Sequence, residues 1–209
     1  LFLNKRNNVL GIDICSSSVK VVELSRSGQR YQVEARAMEP LPTGVIADRN
    51  ITDPEEVGAA IRRAIRASGS SLKHGAIAVP TSTVITRTVP MPADRSEEEI
   101  ETEIRLEAPK YIPYPLDEVF LDFDIRGVSE NSADTLDVTI VASRRENVEL
   151  RQAAMENGGV KTDVVDVDAY ALENAFNVML EQHPTIRNEY RVAIVDIGAT
   201  TTTLTVIQE

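Results

Sequence analysis

Two short stretches carry the residue types best suited to chemistry. Leu10-Gly11-Ile12-Asp13-Ile14 runs into Cys15-Ser16-Ser17-Ser18, and Ile194-Val195-Asp196-Ile197 runs into Gly198-Ala199-Thr200-Thr201. In each, an aspartate closes an apolar run and a turn of small or hydroxyl residues follows. The two aspartates lie 183 positions apart. A carboxylate at the end of a strand can hold Mg²⁺, usually through water, because a hard cation takes oxygen ligands. Small turn residues let backbone N–H groups approach phosphate oxygens. Lys20 adds a compact point charge suited to a β-phosphate. Two such turns facing each other would clamp the phosphate tail of a nucleotide. One turn alone reads as ordinary hairpin chemistry, since Asp and Ser bond their own backbone there. The pair, in this strand order, carries the phosphate reading.

Composition narrows the ligands. The 209 residues include 22 Lys and Arg against 33 Asp and Glu, a net charge of −11. A surface this acidic repels polyanions, which argues against general nucleic-acid or anionic-lipid binding. An anionic ligand therefore needs a local site of backbone N–H groups, a lysine and a metal ion. The hydrophobic fraction of 42% and charged fraction of 26% are those of a globular protein, not of a disordered or collagen-like chain. No apolar run approaches the ~18 residues of a membrane span. The opening residues show no secretory signal. The single cysteine, Cys15, cannot form an internal disulfide, which fits the cytoplasm. It has no histidine nearby in sequence to activate it, so it reads as a buried small residue. His74 and His183 stand outside any ligand-spaced motif, which argues against zinc.

The elements that must position these residues read as follows. Val9–Ile14, Val19–Leu24 and Tyr31–Ala35 form an antiparallel meander with short polar turns. Asp53-Pro54-Glu55-Glu56 starts a helix that buries Val57, Ile61, Ala64 and Ile65 and stops near Gly69. Gly75–Val79 is a buried strand. Val84–Val89 alternates as a strand and is expected to break at Met91-Pro92. Ser96-Glu97-Glu98-Glu99 is a capping box opening a helix that ends near Ala108, before Pro109. Tyr111-Ile112-Pro113-Tyr114-Pro115 is expected as an extended apolar linker. Strands over Val119–Ile125 and Leu136–Ser143 follow, with Asn131-Ser132-Ala133-Asp134 as their loop. A helix over Glu146–Glu156 closes at Gly158-Gly159. A strand over Lys161–Val167, a helix over Ala169–Gln182, and strands over Val192–Ile197 and Thr203–Ile207 complete the order. The order βββαβ, an α/β insertion, βα and a hairpin predicts a three-layer α/β sheet. The ending so soon after the last strand leads to the expectation of a trimmed chain, with the last hairpin beginning a second half.

Two further features suit a protein partner. Asp94–Glu107 carries seven acids against Arg95 and Arg105, a solvated helix face or an acidic wall for a basic segment. Tyr111, Ile112, Tyr114 and Leu116 are either core plugs or an exposed groove for a peptide. Pro113 and Pro115 hold that run extended and remove two N–H donors, which suits a groove wall better than a central strand.

The paired turns resemble the phosphate loops of the actin-like ATPase superfamily. More closely, Leu10–Leu24, the run from Glu107 through Tyr111-Ile112-Pro113-Tyr114-Pro115 to Val119, and Val164–Glu173 resemble the PilM family of type IV pilus assembly proteins, relatives of the cell-division protein FtsA. The likeness covers essentially the whole chain. It implies an α/β, actin-like (RNase H-like) mixed sheet over 1–83 and 160–209, with an α+β FtsA-type subdomain inserted over 84–159. It implies ATP and Mg²⁺ in a cleft between two halves. Asp13 and Asp196 would then organise Mg²⁺; Ser16, Ser17, Lys20, Gly198, Ala199, Thr200 and Thr201 would face phosphates. Asp168 lies where relatives place a Glu or Gln that positions water. The implied partner is the N-terminal cytoplasmic tail of the inner-membrane protein PilN, docking beside the insertion at Tyr111, Ile112, Tyr114 and Leu116. The chain would reach the membrane only through that partner, and self-association is a further expectation. Cys15 departs from the family's usual Gly; a side chain there would either crowd the β-phosphate or be tolerated where the turn keeps φ negative. Asp168 is one carbon shorter than Glu. The adenosine-binding glycines belong to the second half, so this stretch alone is expected to bind ATP weakly or not at all.

Three function classes compete. A nucleotide-responsive scaffold fits the paired turns and the partner-type features. A small-molecule kinase on the same fold needs an acceptor pocket and a catalytic base, and only Asp168 offers itself. A nuclease with the same βββαβ start needs clustered carboxylates for two metals and tolerance of polyanions, against the charge of −11.

Overall fold

The computed structural model describes residues 8–28, 30–130, 132–182 and 192–207. The chain divides into two compact units, Leu1–Pro80 with Glu149–Glu209, and Thr81–Val148.

The larger unit is built on a five-stranded mixed sheet. β1 (Leu10–Ile14), β2 (Ser18–Ser27) and β3 (Arg30–Pro40) form the expected antiparallel meander. β6 (His74–Val79) pairs parallel to β1, and β10 (Lys161–Val167) parallel to β6, giving the order β10-β6-β1-β2-β3. β1 is thus central. Its period of two sends Leu10 and Ile12 into the core and turns Gly11 and Asp13 to the other face. Between β3 and β6 lie a short hairpin, β4 (Ile46–Ala47) and β5 (Asn50–Ile51), and the helix α1 (Pro54–Ser68). Asp53 caps α1 by accepting from the N–H groups of Glu55 and Glu56 at 3.1 and 3.0 Å, and Gly69 ends it at φ 76°. Val57, Ala60, Ile61 and Ala64 line its buried face and join Leu10, Val19, Val21 and Ile77 in one core.

α3 (Arg145–Asn157) begins in the smaller unit's stretch of sequence and ends in the larger unit's. Its C-terminal part gives Ala154 and Met155 to the larger core, although the sequence places the whole helix in the insertion. α4 (Asp168–Gln182) follows β10, one residue earlier than expected. Among the described residues, β11 (Val192–Ile197) and β12 (Thr202–Ile207) pair only with each other, as a separate two-stranded sheet.

The smaller unit is a three-stranded antiparallel sheet in the order β7-β9-β8, with β7 at Val84–Pro92, β8 at Val119–Ser129 and β9 at Ser132–Arg144. The expected break at Met91-Pro92 does not occur. β7 is an edge strand, so Pro90 and Pro92 can lie in it, and Met91 is buried. α2 (Glu97–Glu107) starts at a complete Ser96–Glu99 capping box and buries Ile100 and Ile104. The segment after α2 is not an extended linker. Short 3₁₀ turns at Ala108–Lys110 and Leu116–Glu118 fold it back, and Ile112 enters the core with Val119, Val138 and Ile140. The β8–β9 loop is tighter than the expected four residues, because β9 already begins at Ser132; Asn131 and His183 lie outside the described residues.

Candidate functional site

The first turn closes β1 onto β2. Ile14 pairs with Val19, the Cys15 N–H donates to the Ser18 carbonyl at 2.9 Å, and Ser16-Ser17 form the tip. The Leu41 N–H donates to the Ser17 carbonyl at 2.9 Å, which ties the tip to the chain leaving β3. Asp13 sits directly across from Lys20 in the ladder. The Lys20 ammonium reaches Asp13 Oδ2 at 3.1 Å, and the Cys15 thiol donates to the same oxygen at 3.0 Å. Burial, then the hydrogen bond to Asp13, pushes the Cys15 thiol up to about 11, so it is a neutral donor and not a nucleophile. Burial alone would lower the Lys20 ammonium, but the bond to Asp13 and its charge outweigh that, and Lys20 is held above its ordinary value. The non-glycine residues with positive φ among those described are Asp48 and Arg49, so Cys15 fits its turn without backbone strain.

The second turn repeats the first. Ile197 pairs with Thr202, the Gly198 N–H donates to the Thr201 carbonyl at 2.9 Å, and Ala199-Thr200 form the tip. Asp196 sits across from Thr203. A Cβ on Gly198 would come within 2.9 Å of the Thr201 carbonyl oxygen, so this turn needs glycine where the first turn carries Cys15.

A third group stands against the second turn. The Arg49 guanidinium donates to Thr203 Oγ1 at 2.8 Å and Thr201 Oγ1 at 3.2 Å, and lies 3.8 Å from Asp168. Arg151, only 2% exposed, donates to the Arg49 carbonyl at 2.8 Å. Burial drops Arg151 to about 10, with the Asp168 charge acting against the drop. Asp168 thus stands close to the charges of both Arg49 and Arg151. Neither arginine stands out in the sequence. Arg49 follows Asp48 in a tight turn with no glycine or Asn-Gly signal, and Arg151 looks like a surface residue of α3.

Among the described residues no group of three or more His, Cys, Asp or Glu side chains could hold a metal ion. Asp13 lies against the Lys20 ammonium and the Cys15 thiol, and Asp196 lies across from Thr203.

In the smaller unit, the four partner-type residues separate. Ile112 is 3% exposed and is a core residue, which removes it from any docking surface. Tyr111 and Leu116 are partly buried against that core. Tyr114 is 41% exposed, with the Arg144 guanidinium 5.8 Å from its ring centre. Leu116 also lines a small open hollow with Arg105, Val119, Phe120, Leu121 and Arg145. Among the described residues no helix is long and apolar enough to cross a membrane.

A central strand carrying Asp13 one residue before its end, followed by a hydroxyl turn, in the sheet order β10-β6-β1-β2-β3, makes this a mixed α/β protein whose fold matches actin-like structures. The chain belongs to the type IV pilus assembly protein PilM family, whose match spans residues 11–209. Among solved structures it is similar to a chain of a PilM-PilN type IV pilus biogenesis complex, with 26% identity and a TM-score of 0.80 over 97% of this chain and 59% of that one. The chain thus spans about three fifths of the length of that relative. It also shares a fold with the cytoplasmic domain of EpsL, an inner-membrane component of the type II secretion system of Vibrio cholerae, at 12% identity and a TM-score of 0.53 over 97% of this chain and 71% of that one.

Proposed function

We propose that this chain forms the first half of a cytoplasmic, nucleotide-binding scaffold of the type IV pilus machinery. Its larger unit is read as an RNase H-like half, and its smaller unit as an inserted subdomain of the FtsA type. The observation that carries the nucleotide reading is the repeat of one hairpin, in one register, after Asp13 and after Asp196. Lys20, Ser16 and Ser17 would bind phosphate from one turn, and Gly198 through Thr201 from the other. Asp13 and Asp196 would hold Mg²⁺ through water, and the ion would neutralise phosphate charge that the acidic chain otherwise repels. A kinase needs an acceptor pocket and a catalytic base, and Asp168, the candidate base, stands 3.8 Å from the Arg49 guanidinium.

The partner reading draws on the solved relative, a chain of a PilM-PilN type IV pilus biogenesis complex. The cytoplasmic tail of PilN is the proposed ligand of this chain, with exposed Tyr114 and half-buried Tyr111 and Leu116 as its contacts. Attachment to the inner membrane would pass through that partner.

Calorimetric titration of the full-length protein tests both readings. MgATP is expected to bind, and Asp13→Asn to weaken it at least tenfold with little change in melting temperature. A PilN tail peptide is expected to bind with little ATP turnover. Unchanged nucleotide affinity in Asp13→Asn removes Asp13 from the site, and absence of peptide binding overturns the partner assignment.

A further inference from the structure

Each hairpin places one position directly across from its aspartate. In the first it is Lys20, a cation. In the second it is Thr203, a neutral hydroxyl, and onto that hydroxyl the Arg49 guanidinium donates at 2.8 Å. The second turn therefore also has a positive charge at this place, supplied by another segment of the chain. We propose that Arg49 is the phosphate-binding cation of the second turn, the counterpart of Lys20 in the first. This rests on the nucleotide reading above and adds to it a residue that the paired turns alone do not contain.

Three observations support the assignment. The first is placement. Arg49 sits at φ 65° beside Asp48 at φ 48°, in the two-residue turn between β4 and β5. A long side chain in left-handed backbone costs on the order of 1 kcal/mol and persists only where its surroundings hold it. The buried Arg151 does so, by donating to the Arg49 carbonyl at 2.8 Å. The second is electrostatic. The guanidinium is matched by two neutral hydroxyls and by a carboxylate 3.8 Å away, beyond hydrogen-bond reach. A phosphate offers charged oxygens at a spacing that fits the guanidinium fork, and such bonds are roughly twice as strong as neutral ones. The third is context. Among the described residues, β11 and β12 pair only with each other, and a two-stranded hairpin is marginal on its own. Arg49 ties this hairpin to the β4–β5 turn through two side-chain hydrogen bonds.

The test compares three ligands and three proteins. MgATP, inorganic triphosphate and adenosine are titrated into the full-length wild type, Arg49→Ala and Arg49→Gln. Glutamine keeps a donor for the threonine hydroxyls and removes the charge, so it separates phosphate binding from bracing of the hairpin. Both variants are expected to weaken MgATP and triphosphate at least tenfold and to leave adenosine within twofold. If Arg49→Ala does not fold, Arg49→Gln decides. Wild-type affinity for triphosphate in Arg49→Gln, or equal losses for all three ligands, overturns the assignment and leaves the nucleotide reading standing. A wild type that binds neither MgATP nor triphosphate overturns both.

Discussion

Asp13 and Asp196 occupy the same place in two copies of one hairpin. Each faces the residue seven positions further along the chain, Lys20 in one case and Thr203 in the other, and each is followed two residues later by an N–H bonded to a carbonyl at 2.9 Å. The equivalence extends to the ladder pairs next to the turns, Ile14 with Val19 and Ile197 with Thr202. It also puts Cys15 in register with Gly198. The second turn has no room for a Cβ, while the first accommodates a side chain and turns its thiol toward the aspartate.

That thiol yields a direct prediction. Cys15 is the single cysteine, so alkylation by iodoacetamide reports on it alone. Burial and the bond to Asp13 raise it from 9.0 to about 11. The folded protein is therefore expected to react slowly at pH 8, with a rate that climbs toward a midpoint near 11. A group whose proton is held more tightly in the fold stabilises fully below its unfolded value, and this contribution is lost as pH rises from about 9 to about 11. A folded-state midpoint near 9 would contradict the Cys15–Asp13 bond.

How much of this was legible beforehand differs by residue. The meander, the α1 cap at Asp53 and the Ser96–Glu99 box could be read because period, cap chemistry and turn residues all act locally. The hairpin repeat could be read because in both copies a hydroxyl residue follows the aspartate within four positions, Ser16 in one and Thr200 in the other. Pro92 misled because a proline's effect depends on whether its strand lies at an edge, which is a property of the sheet. Ile112 misled because neighbouring prolines suggested an extended run, while 3₁₀ turns on both sides fold it into the core. Arg49 was invisible because its partners, Thr201 and Thr203, lie more than 150 residues away.

Packing of α1 against α3 gives a second prediction. A Cβ on Gly58 would run into Asn157 Cβ and lie 2.9 Å from the Ala154 carbonyl oxygen, both on the backbone side of α3 and unable to swing aside. Alanine favours a helix over glycine by up to about 1 kcal/mol. Overpacking of this kind costs about 1–3 kcal/mol. Gly58→Ala is therefore expected to destabilise despite its better helix propensity, by a net of up to about 2 kcal/mol in urea denaturation. A stabilised variant would mean that the two helices are not in close contact at Gly58.

The run from Tyr111 to Leu116 gives the third prediction, because burial divides it. Ile112→Ala removes a fully packed side chain and is expected to cost about 2–5 kcal/mol. Tyr114→Ala removes a half-exposed ring whose close cationic neighbour is Arg144, an interaction worth about 0.5–1 kcal/mol at an exposed site. Its melting temperature should therefore stay close to wild type. If the ring serves as a contact for the PilN tail, the same variant loses peptide affinity, since an aromatic anchor carries a large share of a small interface. MgATP affinity should not change. A Tyr114→Ala protein that binds the peptide as wild type moves the docking surface away from this run, and one that melts as early as Ile112→Ala makes Tyr114 a packing residue.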